Sequence, residues 1–186
     1  MVRGWFVCVL AALAPGMAFA RAGVDVQVAG GVVAFPGPVA VDPGAAWAVS
    51  AGLRPWPWAG VEAGYQGAAY TGEAVRAEES VAAIENGGYA AVRVGPTERP
   101  VAPYALAGLG LSHINAVDEG REGGPVQDDM VARVPIGVGV DVRFDVFHLG
   151  LRGTYDFVFL NQRALRSPSG RGADQVLGTI RMGATF

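Results

Sequence analysis

From Arg133 to Phe144 the chain reads RVPIGVGVDVRF, and from Phe147 to Phe159 it reads FHLGLRGTYDFVF. In the first stretch Val134, Ile136, Val138, Val140, Val142 and Phe144 take every second position, with Arg133, Gly137, Gly139, Asp141 and Arg143 between them. A strand turns successive side chains to opposite faces, so a period of two marks a strand with one apolar and one polar side. The second stretch repeats this, with Phe147, Leu149, Leu151, Tyr155, Phe157 and Phe159 set against His148, Gly150, Arg152, Thr154 and Asp156. A tight turn at Phe144-Asp145 is expected to join the two as an antiparallel pair.

The pattern extends in both directions. The last segment sets Val176, Ile180, Met182, Ala184 and Phe186 against Gln175, Thr179, Arg181, Gly183 and Thr185. Upstream, strands are predicted near 24–33, 47–54, 58–70, 89–95 and 104–114, less sharply because alanine and glycine carry little pattern. This makes eight strands, and helical periodicity is nearly absent. Connections alternate in length: short at Pro55 to Pro57, Pro96 to Pro100 and Phe144-Asp145, long at 36–44, 71–86, 115–129 and 161–172. Such alternation suits an up-and-down barrel with short turns at one end, long loops at the other, and both termini beside the short turns.

The first twenty residues have the parts of a secretory signal: Arg3, an apolar run from Trp5 to Leu13, and Ala18-Phe19-Ala20 as a small-x-small cleavage site. Cleavage after Ala20 would leave 21–186 as one domain and would remove Cys8, the single cysteine. A mature chain without cysteine has no disulfide framework and no thiolate metal site. The net charge is −3, which argues against a nucleic-acid partner, since such a partner calls for a basic stripe.

Period two does not say which face points outward. A soluble lipocalin-like barrel that binds a lipophile would turn its apolar face inward, whereas a membrane barrel turns it to lipid. Three features favour lipid. The apolar faces of the last three strands carry no charge over about ten residues, the span of a tilted membrane strand. Trp47, Trp56, Trp58, Tyr65, Tyr70, Tyr104, Phe144, Phe147, Tyr155, Phe157 and Phe159 gather toward strand ends, where they could form interfacial girdles. The last strand ends on an aromatic residue, Phe186.

These strands, the segment Pro103-Tyr104-Ala105-Leu106-Ala107-Gly108-Leu109-Gly110 and the terminal Ile180-Arg181-Met182-Gly183-Ala184-Thr185-Phe186 resemble the small outer-membrane β-barrel proteins of the OmpA, OmpX and OmpW kind. The resemblance implies an all-β, eight-stranded antiparallel up-and-down transmembrane β-barrel. It also implies lipid and lipopolysaccharide surroundings. A monomer is expected and, because the sequence ends at Phe186, no periplasmic peptidoglycan-binding domain of the OmpA sort is expected. Ile180, Met182, Ala184 and Phe186 match the terminal pattern that the outer-membrane assembly machinery reads in that group. A structural or surface-interaction role follows from it. The OmpW kind suggests a narrow channel for small or hydrophobic solutes as the alternative, and a lipid A-modifying enzyme is a further one.

With the apolar faces outward, Asp25, Arg54, Glu62, Arg93, Arg133, Asp141, Arg143, Arg152, Asp156 and Arg181 converge in the bore. An eight-stranded barrel is just wide enough for its side chains to fill, and unpaired charges there are costly, so an ion-pair network plugging the bore is expected. Glycines on the same face would make room for the long arginines. No catalytic residue, metal ligand or cofactor is expected. Ser112 and His113 are adjacent and so face opposite ways, and His148 has no serine at a workable spacing. The acidic residues Asp118, Glu119, Glu122, Asp128 and Asp129 lack ordered ligand spacing. With Arg163, Arg166 and Arg171 they read as loop charge that is solvated or mutually paired. The loop ligand, if any, is not identified by these residues.

Overall fold

The computed structural model describes residues 23–36, 41–73, 80–96, 99–118, 128–159 and 174–186. Eight strands run in order: β1 Gly23–Ala34, β2 Gly44–Trp56, β3 Ala59–Glu73, β4 Ser80–Val94, β5 Val101–Asp118, β6 Asp128–Phe144, β7 Phe147–Phe159 and β8 Gln175–Thr185. Each pairs antiparallel with its neighbour in sequence, and β8 pairs with β1 to close the barrel. Val24 and Phe186 exchange both backbone hydrogen bonds, so the two ends of the barrel chain meet at one rim.

Closure fixes the geometry of the wall. Following ladder partners once around from Val24 leads through Leu53, Val61, Val92, Ala107, Ile136, Tyr155 and Val176 to Ala34, ten residues farther along β1. A stagger of that size in eight strands requires strands inclined by roughly 35–45° to the barrel axis. One interruption has a local cause. The β5–β6 ladder skips Gly108 and Leu109, which lie opposite Pro135 and Val134, because proline has no N–H to give.

Several boundaries differ from the sequence expectation. Most of 71–86, expected as a long loop, is strand: β3 continues to Glu73, and β4 begins at Ser80 rather than near Tyr89. Likewise β5 runs on to Asp118 and β6 starts at Asp128, inside the expected loop 115–129. Runs such as Ala82-Ala83 and Gly87-Gly88 hide their alternation because their side chains barely differ in polarity. The β6–β7 turn is Asp145-Val146, one residue later than expected, with Phe144 still paired to Phe147. Asp145 takes φ 56°, the left-handed conformation that a two-residue hairpin demands and that aspartate tolerates. The expected signal segment 1–20 lies outside the described residues, as do Glu119, Glu122, Arg163, Arg166 and Arg171.

The two faces of the wall differ sharply in polarity. Leu109, Val138 and Ile180 are each at least 60 % exposed, while Arg133, Asp141, Asp156 and Arg181 are at most 3 % exposed. Apolar side chains therefore cover the outside and ionic ones line the inside, the reverse of a soluble lipocalin-like barrel. The inside is not uniformly polar. At the rim opposite the termini, Val33, Tyr70, Ile114, Val131, Val158 and Leu177 pack together across the bore, and Phe35 and Val41 from the β1–β2 connection lie against them. Phe35 meets Tyr70 edge-on, with ring centroids 4.6 Å apart.

Two girdle expectations fail. Tyr70 belongs to this apolar cap and Tyr104 stands inside the bore, both buried. Strand parity decides each case: Tyr70 shares a face with Ala68, and Tyr104 shares one with Leu106. Inward glycines admit the bulky neighbours. A side chain on Gly139 would strike the Tyr104 ring, one on Gly64 would meet Tyr89, and one on Gly183 would meet His148. On the outside, Trp47 lies over Gly67 of the next strand. We expect Gly139→Leu to destabilise the barrel by about 1–3 kcal/mol through overpacking against Tyr104, read as a lower midpoint in chemical denaturation.

Candidate functional site

The bore carries three groups of polar side chains, ordered from the rim where the termini meet. In the first, Arg54 on β2 forms an ion pair with Asp25 on β1, which also accepts a hydrogen bond from the Thr185 hydroxyl. Registers place all three near one rim: Asp25 lies opposite Thr185 on one side and Gly52 on the other.

The central group is built on Glu62 of β3. Arg152 grips its carboxylate with two nitrogens at 2.8 and 2.7 Å, Arg181 reaches both oxygens at 3.2 Å, and Arg93 approaches to 3.5 Å. The Tyr89 hydroxyl donates to it at 2.6 Å. One carboxylate thus serves three guanidinium groups brought in by β4, β7 and β8. Arg93 places its other end on Asp141 of β6 at 2.5 Å. Tyr104 of β5 completes the group: its hydroxyl accepts from Arg152 at 3.0 Å and from Arg181 at 2.8 Å, and the Arg93 guanidinium lies 3.7 Å from its ring centroid. Charge-assisted and cation–π contacts of this kind gain strength where water is excluded.

The third group lies deeper, below the apolar cap. Arg133 of β6 pairs with Glu85 of β4, and with Asp156 of β7 at 3.0 Å. Gln175 accepts from Arg133 at 3.3 Å and donates to Glu85 at 2.6 Å, while Gln66 donates to Asp156 at 3.1 Å. Glu85, Arg133, Asp156 and Gln175 are all buried.

All ten ionic residues expected in the bore face inward. Nine have an ion pair there: Asp25 with Arg54; Glu62 with Arg93, Arg152 and Arg181; Asp141 with Arg93; and Arg133 with Asp156. Arg143 is the exception, facing inward at the terminal rim with its Nε unpartnered. Sequence reasoning missed Glu85, which the expected loop 71–86 had absorbed, although its place two residues after the inward Ala83 puts it on the inner face once β4 is extended. It also missed Tyr89, Gln66 and Gln175 as partners, and Tyr104 as a hub. Strand parity was the available signal for these four.

Ser112 is buried in the bore, while the neighbouring His113 faces the other way; His148 is buried and has no serine among its paired neighbours. Among the described residues there is no cluster of histidine and carboxylate side chains able to hold a metal ion. Ile180, Met182 and Phe186 are exposed on the outer face and Ala184 is half-buried on it.

No family model and no curated protein sequence matches the chain. Its fold matches solved structures of small eight-stranded outer-membrane barrels. The N-terminal β-barrel domain of OprF from Pseudomonas aeruginosa superposes with a TM-score of 0.54 at 15 % identity, covering 89 % of this chain and 98 % of that one. Neisserial surface protein A gives 0.55 at 16 % identity, covering 88 % and 96 %. Ail, the attachment invasion locus protein of Yersinia pestis, solved in complex with the heparin analogue sucrose octasulfate, gives 0.54 at 12 % identity, covering 89 % and 97 %. At these identities the likeness is one of fold.

Removing the shared carboxylate leaves three buried cations facing one another. Glu62→Gln should cost about 3–5 kcal/mol, measured as a lower denaturation midpoint. A midpoint within error of the parent would mean that Glu62 does not hold the arginines in place.

Proposed function

We propose that this chain is a monomeric bacterial outer-membrane protein without enzymatic activity, exported by a cleaved segment 1–20. It contributes to envelope integrity or to surface interactions through the connections at the rim opposite its termini. The observation that carries this reading is the inside-out polarity of a closed wall. A strand protein can enter hydrocarbon only when every backbone N–H and C=O finds a partner within it, and closure of β8 on β1 supplies those partners. The exposed valines, leucines and isoleucines would be a severe aggregation liability in water and are the natural surface in lipid.

The bore favours a structural role over a passage. Ion pairs on Glu62 and Glu85 cross it at two levels, and the Tyr70 cap lies above them. Ile180, Met182, Ala184 and Phe186 at the closing strand suit the terminal signal of the assembly machinery. Lipid and lipopolysaccharide are then the immediate surroundings.

Heat-modifiable migration of the detergent-extracted protein, combined with membrane fractionation, tests the reading. We expect a shift on boiling and recovery in the outer-membrane fraction; release without detergent would overturn it. Val138→Arg, a charge on the outer face, should lower stability in lipid vesicles by about 2–4 kcal/mol, measured by urea unfolding. In planar bilayers the purified protein should give no conductance steps above background, and regular steps would replace the structural role with a channel.

A further inference from the structure

The outer face of the wall changes chemistry at one height. On β5 every outward residue from Val101 to Leu111 is valine, proline, alanine or leucine, and the next two are His113 and Asn115. On β4 the outward residues from Val94 to Gly88 are equally apolar, and the next is Asn86. Gly88 is the ladder partner of Leu111 and Asn86 that of His113, so both strands change between the same two outward rows. The ten residue steps from Val101 to Leu111, in a strand inclined by roughly 35–45°, make a band about 25 Å tall, the span of an outer-membrane apolar belt. Within that band the described outward side chains are apolar all round the barrel, with polar tips only on Trp47, Tyr65 and Tyr155. Above it the outer face is mixed, and the exposed Ile84 and Met130 stand among Thr71 and Asn115.

The ladder carries that height around the wall. Partners of Asn86 run through Gly67 of β3, Trp47 of β2 and Gly30 of β1 to Ile180 of β8. A stagger of ten residues shared among eight strands lowers each of these steps by a little over one residue toward the terminal rim. Allowing for it brings the height of Asn86 to Gly44, Ala34 and Gln175, the residues at which β2, β1 and β8 end. Asp174, next to Gln175, sets a charge against the outer wall at this level: it accepts from the hydroxyl of the outward Tyr155 at 2.9 Å and from the Val158 N–H at 3.1 Å. The other side of the barrel does not stop there. β3 runs on to Glu73, β4 starts at Ser80, β5 runs on to Asp118 and β6 starts at Asp128.

We infer that hydrocarbon ends at the level of Asn86 and His113, and that β3–β6 continue past it as a half-wall about 10–15 Å tall, set among water and lipid headgroups. An amide or imidazole facing acyl chains would lose its hydrogen bonds to water, whereas among headgroups it keeps them. The mixed polarity of Thr71, Ile84, Asn115 and Met130 suits that layer and not the interior of a bilayer. Half of the barrel therefore ends flush with the hydrocarbon, and the other half is presented above it. This placement rests on the outer-membrane reading proposed above and adds which four strands stand clear of the lipid.

The test places Ala90→Cys, Ala107→Cys, Thr71→Cys or Asn115→Cys in a Cys8→Ala chain, which has no other cysteine. Each variant is labelled with a small environment-sensitive fluorophore and folded into dilauroyl phosphatidylcholine vesicles that include a lipid brominated on its acyl chains. Strong quenching by bromine is expected at Ala90 and Ala107, in the middle of the band, and quenching several-fold weaker at Thr71 and Asn115. Quenching at Thr71 or Asn115 as strong as at Ala107 would overturn the half-wall and leave the outer-membrane reading standing. Absence of quenching at all four positions would overturn both. Ala105→Cys serves where Ala107→Cys does not fold, and Ala82→Cys, opposite Thr71 on β4, serves for Thr71→Cys.

Discussion

The closure of β8 on β1 is the constraint on which the rest of this structure depends. With that seam made, no strand presents an unpaired edge, and the wall can face an apolar solvent on its outside without stranding backbone polar groups. Closure with a ten-residue stagger also sets the width of the bore, and the width decides what fills it. Long side chains must cross the axis, and they meet partners from strands far apart in sequence: Arg181 of β8 reaches Ser50 of β2 and Glu62 of β3.

Inside the wall the problem is one of mutual satisfaction. A buried ion pair contributes stability only when both partners are held and their remaining donors are used. The Glu62 group meets that condition by sharing: the tyrosines Tyr89 and Tyr104 take part, and inward glycines let those rings sit close to the wall. Above it the bore changes character. The apolar cap with Phe35 and Tyr70 needs no such pairing and packs like the interior of a soluble protein. Two kinds of interior, one ionic and one hydrophobic, are thus stacked along one axis.

How much of this could be read from the residues varied with side-chain contrast. β7, with large apolar and polar residues in strict alternation, was legible to its last residue, and β6 was legible from Arg133 onward but not over its first five residues. β4 was not, because alanine and glycine on both faces conceal the period, and with it went Glu85. The inward ionic residues followed from parity alone, but their pairing did not, since register between strands distant in sequence depends on closure rather than on any local signal. Tyr70 and Tyr104 show the same limit from the other side: aromatic content suggested an interface, while position in the pleat put both rings within. The turn at Asp145 was misplaced by one residue because its left-handed backbone, and not its polarity, ends the strand.

The β1–β8 seam also bears on how the protein comes into being. Asp25 and Thr185, hydrogen-bonded across it, are separated by 160 positions in the chain. Contacts of such separation form late and slowly, because the entropy of closing so large a loop precedes any reward. Until the final segment arrives, the first strand has an open flank and a greasy side with nothing to cover it. The wall therefore cannot close piecemeal as the polypeptide emerges, and the sheet stays incomplete until its last residues are in hand.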